Sequence, residues 1–141
     1  MLAGMLSLTY VSSAVKPFSA EDLRELLQVS RRNNDAAGIT GLLLYKHGNF
    51  MQVLEGEESA VLETKKRIQA DPRHRGILVL LSRTSSKREF GSWSMAYRNL
   101  DTAEGTVEGY DDFLNTPLTD ARFRQDPSAS QRLLHVFKRS M

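Results

Sequence analysis

The chain has 141 residues, 40% hydrophobic and 26% charged, with a net charge of +2, so it has the length for one domain with a real core and no charge excess that calls for nucleic acid. It has no cysteine, which excludes a disulfide framework, a zinc–thiolate site and cysteine-based covalent chemistry, and which accords with a reducing cytoplasm. The start, MLAGMLSLTY, has no charged n-region ahead of a long apolar run, and no stretch is long enough to span a bilayer, so neither a signal peptide nor a membrane partner is expected.

In residues 5–12 Leu6, Leu8 and Tyr10 share one face and Ser7, Thr9 and Val11 the other, which predicts a strand. Residues 12–19, with Pro17, read as a loop. Ser19 is a good N-cap and Asp22 completes a capping box of the acidic type, so a helix is expected to run to about Asn34. Its apolar stripe is Leu23, Leu26 and Leu27. Continued by helical spacing, the stripe reaches Ser30, Asn33 and Asn34, so that face turns polar toward its C-terminal end. Gly38 predicts a helix stop. Residues 39–45 are a nearly continuous apolar run and predict a central strand. Residues 46–49, KHGN, predict a hairpin connection. In the next strand Phe50, Gln52 and Leu54 share a face, with Met51 and Val53 opposite, and Gly56 ends it. A second helix is expected over residues 57–70, with Val61, Leu62, Lys65 and Ile68 near one side, broken by Asp71-Pro72. Residues 77–81 predict a fourth strand that projects beyond the core into polar sequence. Alternation of Trp93, Met95 and Tyr97 with small residues predicts a fifth strand at an edge.

The order is β-α-β-β-α-β-β, an α+β chain with the split βαβ plan of a ferredoxin-like sheet and two helices on one face. From residue 99 the character changes. Residues 101–109 read as a linker, and residues 107–114 and 131–137 as short amphipathic helices that need a surface to pack on. The expected division is a ligand-binding domain over residues 1–100 and a C-terminal helical extension over 101–141 that contacts a partner or another copy.

Tyr10 and Gln52 both lie on the apolar parity of strands that this plan makes central neighbours. A phenol beside a primary amide reads as a structural hydrogen bond when taken alone. Ser30, Asn33 and Asn34 add a hydroxyl and two amides on the same side of the sheet. One Asn at a helix end is ordinarily a cap. Two of them with a serine, above a buried Gln, point to a planar ligand with polar edges, its faces covered by Leu26 and Ile68 from the two helices. Asp71, Arg73 and His74 read either as a solvated turn or as a mouth that meets a phosphate. Lys65 and Arg67 read as solvent-facing, and His47 and His135 as surface residues. Trp93 and Met95 taken alone are apolar residues of an edge strand. No His or carboxylate group has metal spacing, and no Gly-rich phosphate loop or nucleophile elbow is visible.

The segments LTY, SRRNNDAAGITGLLLY, FMQVLEG, DPRH and SWSM, in this order across residues 5–98, resemble the BLUF family of flavin-based blue-light sensors, and the tail resembles that of its short stand-alone members. The resemblance implies FAD (or FMN or riboflavin) held noncovalently between the two helices. Asn34 would hold the pyrimidine edge of the ring, with Asn33 and Ser30 beside it. Asp71, Arg73 and His74 would lie near the ribityl and phosphate end. Tyr10 would be the light-driven electron and proton donor. Gln52 would relay the proton and then rotate or tautomerise, giving a small red shift. Trp93 and Met95 would sense this change and pass strain to the C-terminal helices, and which of them lies near Gln52 stays open. The family also implies no enzymatic turnover, self-association, and a partner such as a cyclic-di-nucleotide phosphodiesterase or a response regulator. Two other classes share the sheet plan. An acylphosphatase-type enzyme wants an Arg in a phosphate loop after the first strand, whereas VSSAVKPFS has neither Arg nor Gly. An RNA-binding module wants exposed aromatics on the first and third strands, whereas Tyr10 and Phe50 are expected beneath the helices.

Overall fold

Strand β1, Met5–Ala14, is an interior strand of the sheet, paired antiparallel along both edges. The computed structural model describes residues 4–86, 88 and 95–99. The tail helices expected within residues 101–141, and Trp93, lie outside the described residues. β1 runs past the loop boundary expected at Ser12 because its last residues have partners: Ser13 opposes Asn49 and Arg75, and Ala14 opposes His74. The Ala14 N–H also donates to the Gly48 carbonyl at 2.8 Å.

Helix α1, Ala20–Ala37, starts on the predicted capping box. The Asp22 N–H donates to Ser19 Oγ at 3.0 Å, and the Ser19 N–H donates to Asp22 Oδ2 at 3.0 Å. The helix continues to Ala37 rather than ending near Asn34, and Gly38 closes it in the left-handed conformation at φ 69°. That conformation is open to glycine without a Cβ penalty. The Ile39 N–H then returns to the Asn34 carbonyl at 2.9 Å. Strands β2, Thr40–Lys46, and β3, Asn49–Glu57, form the hairpin, turned by His47 at φ 50° and Gly48 at φ 78°. Positive φ at both central residues gives a turn whose twist matches its strands.

Helix α2, Glu58–Gln69, buries Val61 and Thr64. The expected face is therefore corrected: Leu62 is 45% exposed and Thr64 is 4% exposed, so the helix is rotated to put a hydroxyl, not a leucine, toward the sheet. Strand β4, His74–Ser85, is longer at both ends than the apolar run, because it follows β1 along its length, from Ala14↔His74 to Met5↔Ser85. Pairing with a long neighbour supplies the ladder partners that side-chain hydrophobicity did not announce. Strand β5, Ala96–Asn99, lies parallel to β2.

The strand order is β4-β1-β3-β2-β5, with β1 antiparallel to both β4 and β3, and β2 antiparallel to β3. This is the ferredoxin-like α+β plan. Leu8, Leu23, Leu27, Leu54 and Val61 form the core between the sheet and the helices. The opposite face of the central strands is buried too: Leu42, Leu44, Met51 and Val53 are all at most 1% exposed. β2 approaches β3 closely at Gly41, where an added Cβ would stand 1.9 Å from the Val53 carbonyl oxygen. The connection leaving β4 is tied back by Arg88, whose guanidinium donates to the Gly38 carbonyl at 2.8 Å, to Thr40 Oγ1 at 2.9 Å and to the Glu55 carbonyl at 3.1 Å.

Candidate functional site

Antiparallel pairing of β1 with β3 places Tyr10 directly opposite Gln52. Both side chains point to the helix side, and the Tyr10 hydroxyl donates to Gln52 Oε1. Both are nearly sealed from solvent, Tyr10 at 2% and Gln52 at 5%. Burial pushes the Tyr10 phenol well above its ordinary pKa, because the phenolate would lose its hydration there. The other end of the amide is engaged as well: Gln52 Nε2 lies 3.6 Å from Met95 Sδ. Of the two residues expected to sense the amide, Met95 thus stands against Gln52, and Trp93 lies outside the described residues.

Above this pair a cavity of about 210 Å³ opens between α1 and α2. Tyr10 and Gln52 line it, as do Ser30, Asn33 and Asn34 from α1. Leu26 from α1 and Ile68 from α2 also line it. Asp71, Arg73 and His74 line it from the turn after α2. The helical spacing that carries Leu23 and Leu27 into the core brings Asn34 inward with them, at 3% exposure. The fold therefore gathers every residue singled out for the ligand into one cavity.

The turn is rigidly built. Asp71 Oδ1 accepts from the Arg73 N–H at 2.9 Å and from Arg73 Nε at 3.0 Å, while Arg73 Nη2 reaches Asp71 Oδ2 at 2.6 Å. The Arg73 guanidinium holds the Asp71 carboxyl below the usual carboxylate range, and Asp71 in turn raises Arg73. His74 is the first residue of β4 and is held at both nitrogens, with Nδ1 2.9 Å from Ser12 Oγ and Nε2 2.6 Å from the Ile68 carbonyl. A carbonyl only accepts, so Nε2 carries the proton and Nδ1 faces the serine hydroxyl.

The cavity also holds residues that sequence reasoning did not assign to the ligand. Phe18 and Phe50 line it, with ring centroids 5.0 Å apart and nearly perpendicular. Arg73 lies over the Phe18 ring at 5.6 Å. Phe18 directly precedes the Ser19 cap, the position of a hydrophobic staple, and that is the signal that was available for it. Thr64 and Arg67 come from α2, and Arg67, exposed as expected, stands on the cavity rim with Nη2 3.4 Å from Thr64 Oγ1. Among the described residues there is no His, Cys, Asp or Glu cluster suited to a metal.

A narrow space between two helices, apolar on its faces and fringed by a phenol, three amides and three hydroxyls, with two guanidiniums among its lining, is a binding site for a flat heterocycle with polar edges and an anionic tail. A flavin has that shape and that edge chemistry, so the residues present fit it. The class defined by fold and site is thus a ferredoxin-like flavin-binding module. The family profile described as "BLUF: Sensors of blue-light using FAD" matches residues 5–96, and the chain belongs to this family. Members bind a flavin, FAD, and serve as blue-light sensors.

The relatives agree. The chain is 35% identical over 96 residues to photoactivated adenylate cyclase subunit alpha of Euglena gracilis, a match that covers 65% of this chain and 9% of that protein. It therefore spans about a tenth of the length of the curated relatives it matches. Among solved structures it is similar to BlrB, a BLUF protein in its dark state, at 28% identity and TM-score 0.69, with all of both chains covered. It is also similar to Klebsiella pneumoniae BlrP1 with FMN and cyclic diGMP, at 34% identity and TM-score 0.72, over 95% of this chain and 34% of that one.

Proposed function

We propose that the chain is a blue-light switch without turnover of its own, in which Tyr10 and Gln52 convert light absorption into a reversed amide. The observation that carries this reading is the buried Tyr10–Gln52 hydrogen bond on the floor of the cavity. Bound flavin, as FAD or as FMN or riboflavin, supplies the blue-light absorption and an acceptor for one electron. Asn34 would hold the polar edge of the ring with Asn33 and Ser30 beside it, Leu26 and Ile68 would cover its faces, and Asp71, Arg73 and His74 would flank the tail. Tyr10 is the donor. Its phenol keeps its proton at rest because burial disfavours the phenolate. Once the electron has left, the phenol is a strong acid, and the acceptor it touches is Gln52 Oε1. Gln52 would relay the proton and rotate or tautomerise, and return of the electron and a proton to Tyr10 would leave the pair neutral with the other end of the amide facing Tyr10. A primary amide is suited to this, since donor and acceptor ends exchange with little motion.

The test is an absorption spectrum before and after blue light. The protein is expected to purify yellow, to shift red on illumination and to recover in the dark. A colourless protein that cannot be loaded with flavin would overturn the reading.

The output leaves through another protein. Two of the similar proteins named above, one named as an adenylate cyclase subunit and one solved with cyclic diGMP, favour a partner in cyclic-nucleotide signalling, such as a cyclic-di-nucleotide phosphodiesterase, with a response regulator as the other candidate. Residues 101–141 are the proposed contact for that partner and for self-association, in the cytoplasm. The acylphosphatase reading is not favoured, because the segment after β1 offers no guanidinium of its own and the cavity lies beneath the helices.

A further inference from the structure

We propose that Arg31 is a positioning residue that fixes where Met95 stands against Gln52, so that it sets how fast the switched amide returns to rest. This rests on the light-switch reading above. Arg31 Nε donates to the Met95 main-chain carbonyl at 2.9 Å. The sulfur of the same Met95 lies 3.6 Å from Gln52 Nε2. One residue thus carries two bonds, its backbone to α1 and its side chain to β3. Met95 is 1% exposed, while Arg31 reaches it from the exposed side of α1. It also directly precedes β5, a strand of 4 residues joined to β2 at the sheet edge. So short an edge element has few ladder bonds to hold its N-terminal end, and the guanidinium supplies one more.

The chemistry of the pair gives the direction of the effect. A thioether sulfur accepts weakly and has no proton to give. With Nε2 toward it, as seen here, the contact is attractive. With the amide reversed, the oxygen faces the sulfur and the attraction is gone. Met95 held in place by Arg31 therefore favours the resting orientation of Gln52 over the reversed one. Arg31 bonds to the Met95 backbone and acts on Gln52 through Met95. On the same helix Ser30, Asn33 and Asn34 line the cavity, so α1 carries both the cavity wall and the clasp on β5.

The test is dark recovery of the flavin-loaded full chain after blue light, in wild type, Arg31→Ala, Arg31→Gln and Met95→Ala. Arg31→Ala should slow recovery about tenfold, with flavin content and the size of the red shift unchanged. Arg31→Gln, which keeps a neutral donor and helix propensity, should slow it less, in the same direction. In the Met95→Ala background, replacing Arg31 should change nothing further. Recovery at the wild-type rate in both Arg31→Ala and Arg31→Gln would overturn the proposal. So would an Arg31 effect that persists without the Met95 side chain. If Arg31→Ala loses flavin, Arg31→Gln and its combination with Met95→Ala decide on the same criteria. A wild-type protein that shows no light-induced shift would instead count against the switch reading, and the two failures are thus told apart.

Discussion

Tyr10 and Gln52 each satisfy the other, which makes their substitutions informative in two ways. Tyr10→Phe keeps the ring and its packing but removes the donor to Gln52 Oε1. It should abolish the light-induced shift and leave flavin bound. It should also cost about 1–3 kcal/mol, the usual consequence of a buried polar atom losing its partner, read as a lowered urea midpoint. A normal photocycle in that variant would remove Tyr10 from the chemistry. Gln52→Leu should block the shift as well, since no amide remains to reverse. At the cavity mouth the relevant group is Asp71, whose carboxyl is held low chiefly by its hydrogen bonds from the Arg73 side chain. A carboxylate depressed in the folded state stabilises it fully above the unfolded-state pKa and loses that contribution as pH falls through the lower folded value. Thermal midpoints should therefore decline on acidification below about pH 4, and Asp71→Asn should decline less steeply. Asp22 is also depressed, by its Ser19 hydrogen bonds, so the slope in Asp71→Asn shrinks without vanishing. Identical slopes would show that the Asp71–Arg73 pair does not stabilise the fold.

Among the elements, the β2–β3 hairpin and the end of α1 are the places where backbone geometry alone dictates residue type. At Gly41 a methyl group would press into the Val53 carbonyl, a main-chain atom that cannot turn aside. Gly41→Ala should cost about 1–3 kcal/mol or more, as overpacking does. It should lower flavin retention too, because β3 carries Gln52 and Phe50 to the cavity. Gly38 meets open space, so its constraint is the positive φ alone. Gly38→Ala should cost about 1–2 kcal/mol and leave the flavin spectrum intact. Comparing the two in urea unfolding and flavin content separates a packing penalty from a conformational one. The capping box and the hairpin turn were legible because a cap or a turn is a contract among four or five neighbouring residues. The rotation of α2 was not. Val61 and Leu62 are equally apolar neighbours, and only the sheet beneath them decides that Val61 and Thr64 face inward.

For the molecule as a whole, every residue proposed to take part in sensing lies within the part that matches the family, residues 5–96. A chain ending at residue 100 is expected to keep the red shift and its recovery, and to lose self-association and control of the partner, measured by absorption and by size-exclusion chromatography. Loss of flavin in that truncation would mean that residues 101–141 belong to the sensor core.

The amino-acid sequence by itself determined the element order, the capping box and glycine stop of α1, the hairpin and the set of polar residues that break an apolar face, because each is encoded over a few residues by periodicity or local hydrogen bonding. It also carried the pairing of Tyr10 with Gln52, once the sheet plan made their strands neighbours. Only the tertiary structure decided that Met95 stands against Gln52, that Arg31 holds Met95 across 64 positions of sequence, and that Phe18, Phe50 and Arg67 join the cavity. Those facts depend on strand register, helix rotation and the seating of a short edge strand, and these are settled by packing between segments far apart in the chain.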